Sequence, residues 1–381
     1  MSCSLETPPE AVEIGFSSSS ARSVTLNVAS YNLFQRPAWF DSLAGQSNPE
    51  CRALAVGSGL LNFEPKLDIV ALQEGMDTGL MKSLAVASGF SNSLLNQPPK
   101  ASDTLGCFDE EGRVWRESDP SQGMQFDGCK EQQKTFTVIN GGLALLTPHS
   151  LPELSPAIIK PCTPNLDEAA VSWPYCAMSW SDIWPNKGLL YASINIVEQN
   201  ISFIVHVITT HLSASTQEVR DKQLDTLHAF IENKFCLDPQ RRLEPILLLG
   251  DLNVKKTPGD REDYDHMLEL LSTSCLGKPR DLLEEFYHSK FSAHAPGTMM
   301  CEGSQIGECA PPTPDRRLDY IFALEPSDPS RALWNLNVLE ARTLEFRNTD
   351  CAYQVDGKEQ NSLGRLSDHA MIMAQLEWTT R

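Results

Sequence analysis

Residues 366–378 read LSDHAMIMAQLEW. A carboxylate and an imidazole, Asp368 and His369, stand directly before an apolar run with the character of a buried strand. Ionisable groups at the edge of a core cost free energy unless each meets a partner. The residues that answer them must therefore lie elsewhere in the chain.

Working outward, other short runs rich in Val, Ile and Leu also carry polar groups at one end. SVTLNVASYN (23–32) closes on Asn32, and LDIVALQE (67–74) closes on Gln73 and Glu74. ISFIVHVITTHL (201–212) carries His211, PILLLGDLN (245–253) carries Asp251 and Asn253, and RLDYIFAL (317–324) opens with Asp319 near its start. GGLALLT (141–147), GLLYASINIV (188–197) and LNVLEARTLE (336–345) are further expected strands, with a hairpin turning at 198–200. Helices are fewer. Val219, Leu224, Leu227 and Phe230 recur at helical spacing in 215–235, with Ser215 and Glu218 as a capping box. Residues 78–88 and 262–272 are the other expected helices. Many strands and few helices, without βαβ alternation, predict an α/β fold of two packed sheets with helices outside.

At 381 residues and 41% hydrophobic content, the chain can bury a large core. Residues 1–22 read as a disordered lead-in and 23–381 as a single domain, with polar surface insertions at about 96–135 and 292–316. A net charge of −19 argues against a protein that holds nucleic acid by neutralising its phosphates. No apolar run approaches the ~18 residues of a membrane span, and the opening residues show no basic and apolar leader. Eleven cysteines point the other way, towards an oxidising compartment. Cys107 with Cys129, Cys162 with Cys176, and Cys301 with Cys309 are possible loop pairs. Compartment therefore stays open between cytoplasmic, membrane-peripheral and extracellular. Without C-x-x-C pairs, structural zinc is not expected.

Each polar strand end has an ordinary reading on its own. Asn32 can cap a turn, Glu74 can be a solvated strand end, and Asp319 can pair with Arg316 or Arg317. Strand ends of a packed sheet converge, however, and together these residues would collect carboxylates, imidazoles and amides in one cleft. Such a cluster calls for a hard divalent cation on oxygen ligands, and Mg²⁺ suits one or two carboxylates plus a substrate phosphate.

In order and approximate spacing, YN (31–32), LQE (72–74), TTHL (209–212), GDLN (250–253), LDYIF (318–322) and SDH (367–369) resemble the endonuclease/exonuclease/phosphatase superfamily, the deoxyribonuclease-I-like fold. The resemblance spans residues 24–378 and implies a four-layered α/β sandwich with the site at one end of its two sheets. It implies Glu74 as the main Mg²⁺ ligand (Mn²⁺ or Co²⁺ can substitute), with Asn32 near metal or phosphate. It further implies His369 as general base oriented by Asp319, His211 and Asn253 on phosphate oxygens, and Asp251 and Asp368 completing the metal and catalytic network. Whether His369 or Asp251 activates the water is left open.

WSDIWPNKGLLYASI (180–194) resembles the D-x-x-x-x-K-G segment of neutral sphingomyelinases, with Asp182 and Lys187–Gly188 in the matching places. TTHLSA (209–214) resembles the same branch. The resemblance implies that Lys187 contacts the phosphate or, with Asp182, controls whether the site is competent. Trp173, Trp180 and Trp184 crowd that segment, and Trp39 with Phe40 follow Asn32. Such rings suit a membrane interface, though they also serve under loops as half-buried core. His206 is expected to be a satisfied core histidine. The expected activity is a Mg²⁺-dependent phosphodiesterase of the phospholipase C type, releasing phosphocholine and ceramide from sphingomyelin. The expected partners are a membrane phospholipid or sphingolipid through peripheral contact, with no nucleic acid and a monomeric chain. An inositol-phosphate phosphatase, a metal-dependent endonuclease, or an inactive lipid-binding module are the alternatives.

Overall fold

A computed structural model describes residues 22–35, 48–95, 141–152, 169–175, 187–198, 201–257, 261–291, 293–299, 316–351, 354–355, 358–359 and 365–381. The chain runs β1 (Ser23–Gln35), α1 (Pro49–Leu61), β2 (Ile69–Gly75), α2 (Thr78–Ala87), β3 (Asn92–Leu95) and β4 (Ala144–Thr147). It continues through β5 (Ala170–Pro174), β6 (Gly188–Glu198), β7 (Ile201–His211), α3 (Gln217–Ile231), β8 (Ile246–Lys256), α4 (Glu262–Leu270) and β9 (Arg280–Asp281). The last elements are α5 (Leu282–Phe291), β10 (Arg317–Leu324), β11 (Trp334–Leu344), the short β12 (Gln354–Val355) and β13 (Lys358–Glu359), and β14 (Met371–Thr380).

Two six-stranded sheets form, in the orders β11-β14-β1-β2-β4-β3 and β5-β6-β7-β8-β10-β9. Each is built around one parallel pair, β1 with β2 and β7 with β8, and every other pairing is antiparallel. Side-chain alternation explains the layering. Val24, Leu26 and Val28 of β1 meet Leu247 and Leu249 of β8 in the core between the sheets. The opposite parity of β1, Ala29, Tyr31 and Leu33, packs outward with Ala53 and Val56 of α1. Leu248 of β8 likewise packs outward with Leu224 and Leu227 of α3. The result is the expected four-layered sandwich.

Several sequence expectations need correction. Thr216, not Ser215, caps α3, accepting from the Val219 N–H at 3.4 Å. Ser215 instead donates its N–H to Ser213 Oγ. Two helices, α1 and α5, lie where none was expected. α1 starts on Asn48, whose side chain accepts from Cys51 N–H, with Pro49 in its first turn. Arg317 pairs with Asp281 rather than Asp319. His206 is satisfied on both sides, by the Tyr191 hydroxyl at 2.8 Å and Glu244 at 2.7 Å.

The described residues contain the disulfides Cys51–Cys351 and Cys236–Cys275. Neither pairing follows from loop spacing. The pairs expected from spacing, the insertion at 96–135, and Trp39, Phe40, Trp180, Trp184 and Asp182 all lie outside the described residues. No helix among the described residues is long and apolar enough to cross a membrane.

Candidate active site

The inward-facing row of each central strand changes from hydrocarbon to polar at one end. Val24, Leu26 and Val28 give way to Ser30 and Asn32, and Ile69 and Ala71 give way to Gln73. Val205 and Val207 lead to Thr209 and His211, and Leu247 and Leu249 lead to Asp251. Parallel pairing aligns those ends two by two, β1 with β2 and β7 with β8, and the packing of the two sheets brings the pairs to one end. β10 runs antiparallel to β8 and therefore begins there, placing Asp319 opposite Asp251. β14 runs antiparallel to β1, so the residues that lead into it, Asp368 and His369, arrive at the same end.

Hydrogen bonds cross between the sheets at this end. Gln73 Nε2 donates to Thr209 Oγ1 at 3.0 Å. Above it, Asn32 Nδ2 donates to Asp251 Oδ2 at 2.9 Å and to Glu74 Oε1 at 3.3 Å. His211 Nε2 lies 3.6 Å from Glu74 Oε1 and 3.5 Å from Asp251 Oδ2. His369 Nδ1 is 2.8 Å from Asp319 Oδ2, and its Nε2 is 3.7 Å from Asp251 Oδ2. The Ser367 hydroxyl donates to the Asn32 carbonyl at 2.7 Å and accepts from the His369 N–H at 3.1 Å. Asn32, Asp251, Asp319, His211, Asp368 and His369 are all buried, while the Glu74 side chain keeps 16% of its surface exposed.

Backbone strain marks the same place. Glu74 and Asn253 are non-glycine residues with φ of 56° and 50°, a conformation that costs about 1–3 kcal/mol and is held only by its surroundings. Asn253 is fixed by its N–H to Asp251 Oδ1 and its Nδ2 to the Leu212 carbonyl, both at 2.9 Å. Its amide thus faces the loop that follows His211.

The charges are unevenly shared. Burial, partly offset by His369 and reinforced by Asp319, pushes the Asp251 carboxyl up to about 7. Burial opposes a charge on His369, but Asp319 and Asp251 outweigh it and hold the imidazole well above its usual range. Burial, together with the Lys187 ammonium and His369, holds His211 well below that range. Neutral His211 accordingly accepts from Lys187 Nζ at 2.6 Å, and Lys187 also donates to the Leu212 carbonyl at 2.9 Å.

The donor set fits a hard divalent cation. Two carboxylates and an imidazole compose it: ligand atoms of Asp251, Asp319 and His369 lie within 4.8 Å of one another. Asp319 Oδ1 is buried without a hydrogen-bond partner among the described residues, an arrangement a nearby cation relieves. The structure brings Asn32, Glu74, His211, Asp251, Asp319 and His369 together, with Asp368 buried beside His369, Lys187 on His211 and Asn253 on the Leu212 carbonyl; Asp182 lies outside the described residues. Ser30, Thr209, Thr298 and Ser367 belong to the cluster too and were missed. Ser367 adjoins the Asp-His pair and could have been flagged. Thr298 sits in an irregular stretch with no periodicity to reveal it.

The two-sheet sandwich that carries this cluster is the expected deoxyribonuclease-I-like fold. No family model matches the chain, and no curated protein matches it in sequence. Solved structures do. A beta toxin from Staphylococcus aureus superposes with a TM-score of 0.52 at 18% identity, over 92% of this chain and 99% of that one. The same toxin with bound magnesium ions gives 0.51 at 16%, with the same coverage. Sphingomyelinase C from Streptomyces griseocarneus gives 0.51 at 18%, over 92% and 99%. TDP2 from D. rerio, complexed with a single-strand DNA product, gives 0.51 at 13%, over 92% and 98%. At these identities the likeness is one of fold: the chain shares the deoxyribonuclease-I-like sandwich of these proteins.

Proposed function

We propose that the chain is a divalent-metal-dependent phosphodiesterase that hydrolyses a phospholipid or sphingolipid headgroup, in the manner of a sphingomyelinase. The observation that carries this reading is the His369–Asp319 contact at 2.8 Å beside the Asn32–Glu74–Asp251 cluster. It pairs an oriented imidazole with an oxygen-rich cation site at the junction of two sheets.

Glu74 would hold Mg²⁺ with Asp368 and the Asp251 and Asp319 carboxylates nearby, Asn32 steadying Glu74 and Asp251 through its Nδ2, and the ion would polarise a phosphoryl oxygen and offset charge in the transition state. Asp319 accepts from His369 Nδ1–H and keeps the ring facing the site, where Nε2 would exchange a proton with the attacking water or the leaving oxygen. Asn253 positions Leu212 and Asp251 through its two hydrogen bonds. Lys187 supplies a cation at His211, next to where a phosphate would sit.

Two features favour lipid over nucleic acid. The net charge of −19 opposes a polyanion, whereas a zwitterionic headgroup needs no basic surface. The Lys187–Gly188 pair of the sphingomyelinase-like segment leads into β6, with Lys187 bonded to His211 of the cluster. The two disulfides favour an extracellular setting.

The test is turnover of sphingomyelin in mixed micelles beside a plasmid substrate, with Mg²⁺ or with EDTA. Wild type is expected to release phosphocholine only with Mg²⁺, and His369→Ala to lose about 10²–10⁴-fold in kcat. Plasmid nicking without lipid turnover would replace this reading with the nuclease one that the DNA-bound neighbour suggests.

A further inference from the structure

Asp319 belongs to one sheet and His369 to the other, so something must hold the two strand ends in register. Thr298, Met299 and Arg316 lie at that junction. Met299 forms an antiparallel bridge with His369. The N–H groups of Thr298 and Met299 donate to the Arg316 carbonyl at 2.9 and 3.1 Å. Within this short segment, Thr298 contacts both strand ends directly. Its hydroxyl accepts from the N–H of Leu318 at 3.0 Å and of Asp319 at 3.2 Å. Its carbonyl accepts from Ala370 N–H at 2.8 Å, one residue beyond His369. Thr298 is fully buried.

We propose that Thr298 is a positioning residue of the site: its hydroxyl and carbonyl tie the Asp319 end of one sheet to the His369 end of the other and so set the His369–Asp319 contact. The geometry supports this over a purely space-filling role. A side chain that only filled space would not need its one oxygen shared between two consecutive backbone donors, one of them on Asp319 itself. The inference gives a function to the C-terminal part of residues 293–299, which otherwise reads as one edge of a surface insertion. It rests on the phosphodiesterase reading for its kinetic consequence but not for its structural one.

Thr298→Val keeps the shape and removes the hydroxyl, while Thr298→Ser keeps the hydroxyl and removes the methyl. In an active enzyme, Thr298→Val is expected to lower kcat by about 10–100-fold with KM within about twofold, because misplacement by an ångström has that effect on an oriented group. Thr298→Ser is expected to stay within about threefold of wild type. The second readout needs no turnover. The His369 Nδ1 proton held by Asp319 should give a low-field NMR resonance in wild type and Thr298→Ser, and lose it in Thr298→Val. The third needs no variant: the amides of Asp319 and Ala370 should exchange slowly in wild type.

Rapid exchange of either amide would overturn the proposal, even if Thr298→Val failed to fold. So would a folded Thr298→Val with wild-type kcat and an unchanged resonance, or an equal kcat loss in Thr298→Ser. A wild type inert on every phosphodiester would sink the proposed function instead, leaving the resonance and exchange results to decide the role of Thr298.

Discussion

Gly250 shows how tightly single residues are specified around the site. It precedes Asp251, holds φ of 150°, and an added Cβ would run into the Thr210 carbonyl of the neighbouring parallel strand. Gly250→Ala is therefore expected to cost roughly 2–4 kcal/mol, from backbone strain and overpacking together. Urea unfolding would measure it, and a loss below about 1 kcal/mol would mean that β7 and β8 part more readily than their packing implies. At this scale much of the site was legible. Asn32, Glu74, His211, Asp251, Asp319 and His369 each break an apolar run, and a polar group ending a buried strand is costly enough to demand a reason. Thr298 was not legible, and Thr209, though inside the TTHL motif, showed no role of its own, because threonine is ordinary in loops and strands alike. What they do depends on which backbone or side chain arrives opposite.

Among the elements, the start of β10 stands on a buried ionic network. Arg317 is bidentate to Asp281, which also accepts from the Tyr264 hydroxyl at 2.7 Å, and Lys256 lies 3.0 Å from Glu284. Burial alone would raise the Asp281 carboxyl, but Arg317, Lys256 and Tyr264 outweigh it and hold it below the usual range. Glu284 is lowered as well, against its own burial, by His294 and Lys256. A carboxyl depressed by folding stabilises the native state above its unfolded value and loses that contribution as pH falls through the native one. Stability is thus expected to hold above about pH 5 and to fall progressively below about pH 4, near the ordinary Asp and Glu values. Urea midpoints between pH 6 and 3 would follow this. In Asp281→Asn the acid slope should flatten, with about 3–5 kcal/mol already missing at neutral pH from the stranded Arg317. Strands were more readable than helices here. Their Val, Ile and Leu runs declare themselves, whereas α1 turns small residues such as Ala53 and Gly57 towards the core. It was betrayed only by its Asn-Pro start.

For the molecule as a whole, the sandwich was deducible because both sheets repeat one pattern of inward hydrocarbon ending in polar groups. The long-range ties were not. Cys51 and Cys351 lie 300 residues apart and join α1 to the turn ahead of the Asp368–His369 segment. Spacing within loops favours near neighbours and cannot suggest such a pair. Removing it by Cys51→Ala with Cys351→Ala is expected to cost about 2–5 kcal/mol. The same treatment should leave the Asn32–Asp251 contact in place, since α1 is still held by Arg52 donating to the Phe34 carbonyl. Calorimetry of the double variant, beside wild type with and without reductant, would check this. An unchanged thermal midpoint in the double variant would show that the crosslink holds nothing together.

The pairing of β1 with β14 has a consequence for how the protein is made. Arg22 and Thr380, bonded at the far end of that pair, are 358 residues apart. At ribosomal speeds of about 5–20 residues per second, β1 waits roughly 20–70 s for the strand that will cover its open edge. Throughout that interval an apolar strand with unpaired amides is on offer to any neighbouring nascent chain. Biogenesis, more than the finished fold, is where this topology is vulnerable, and a chaperone that masks β1 would shield it until β14 is made.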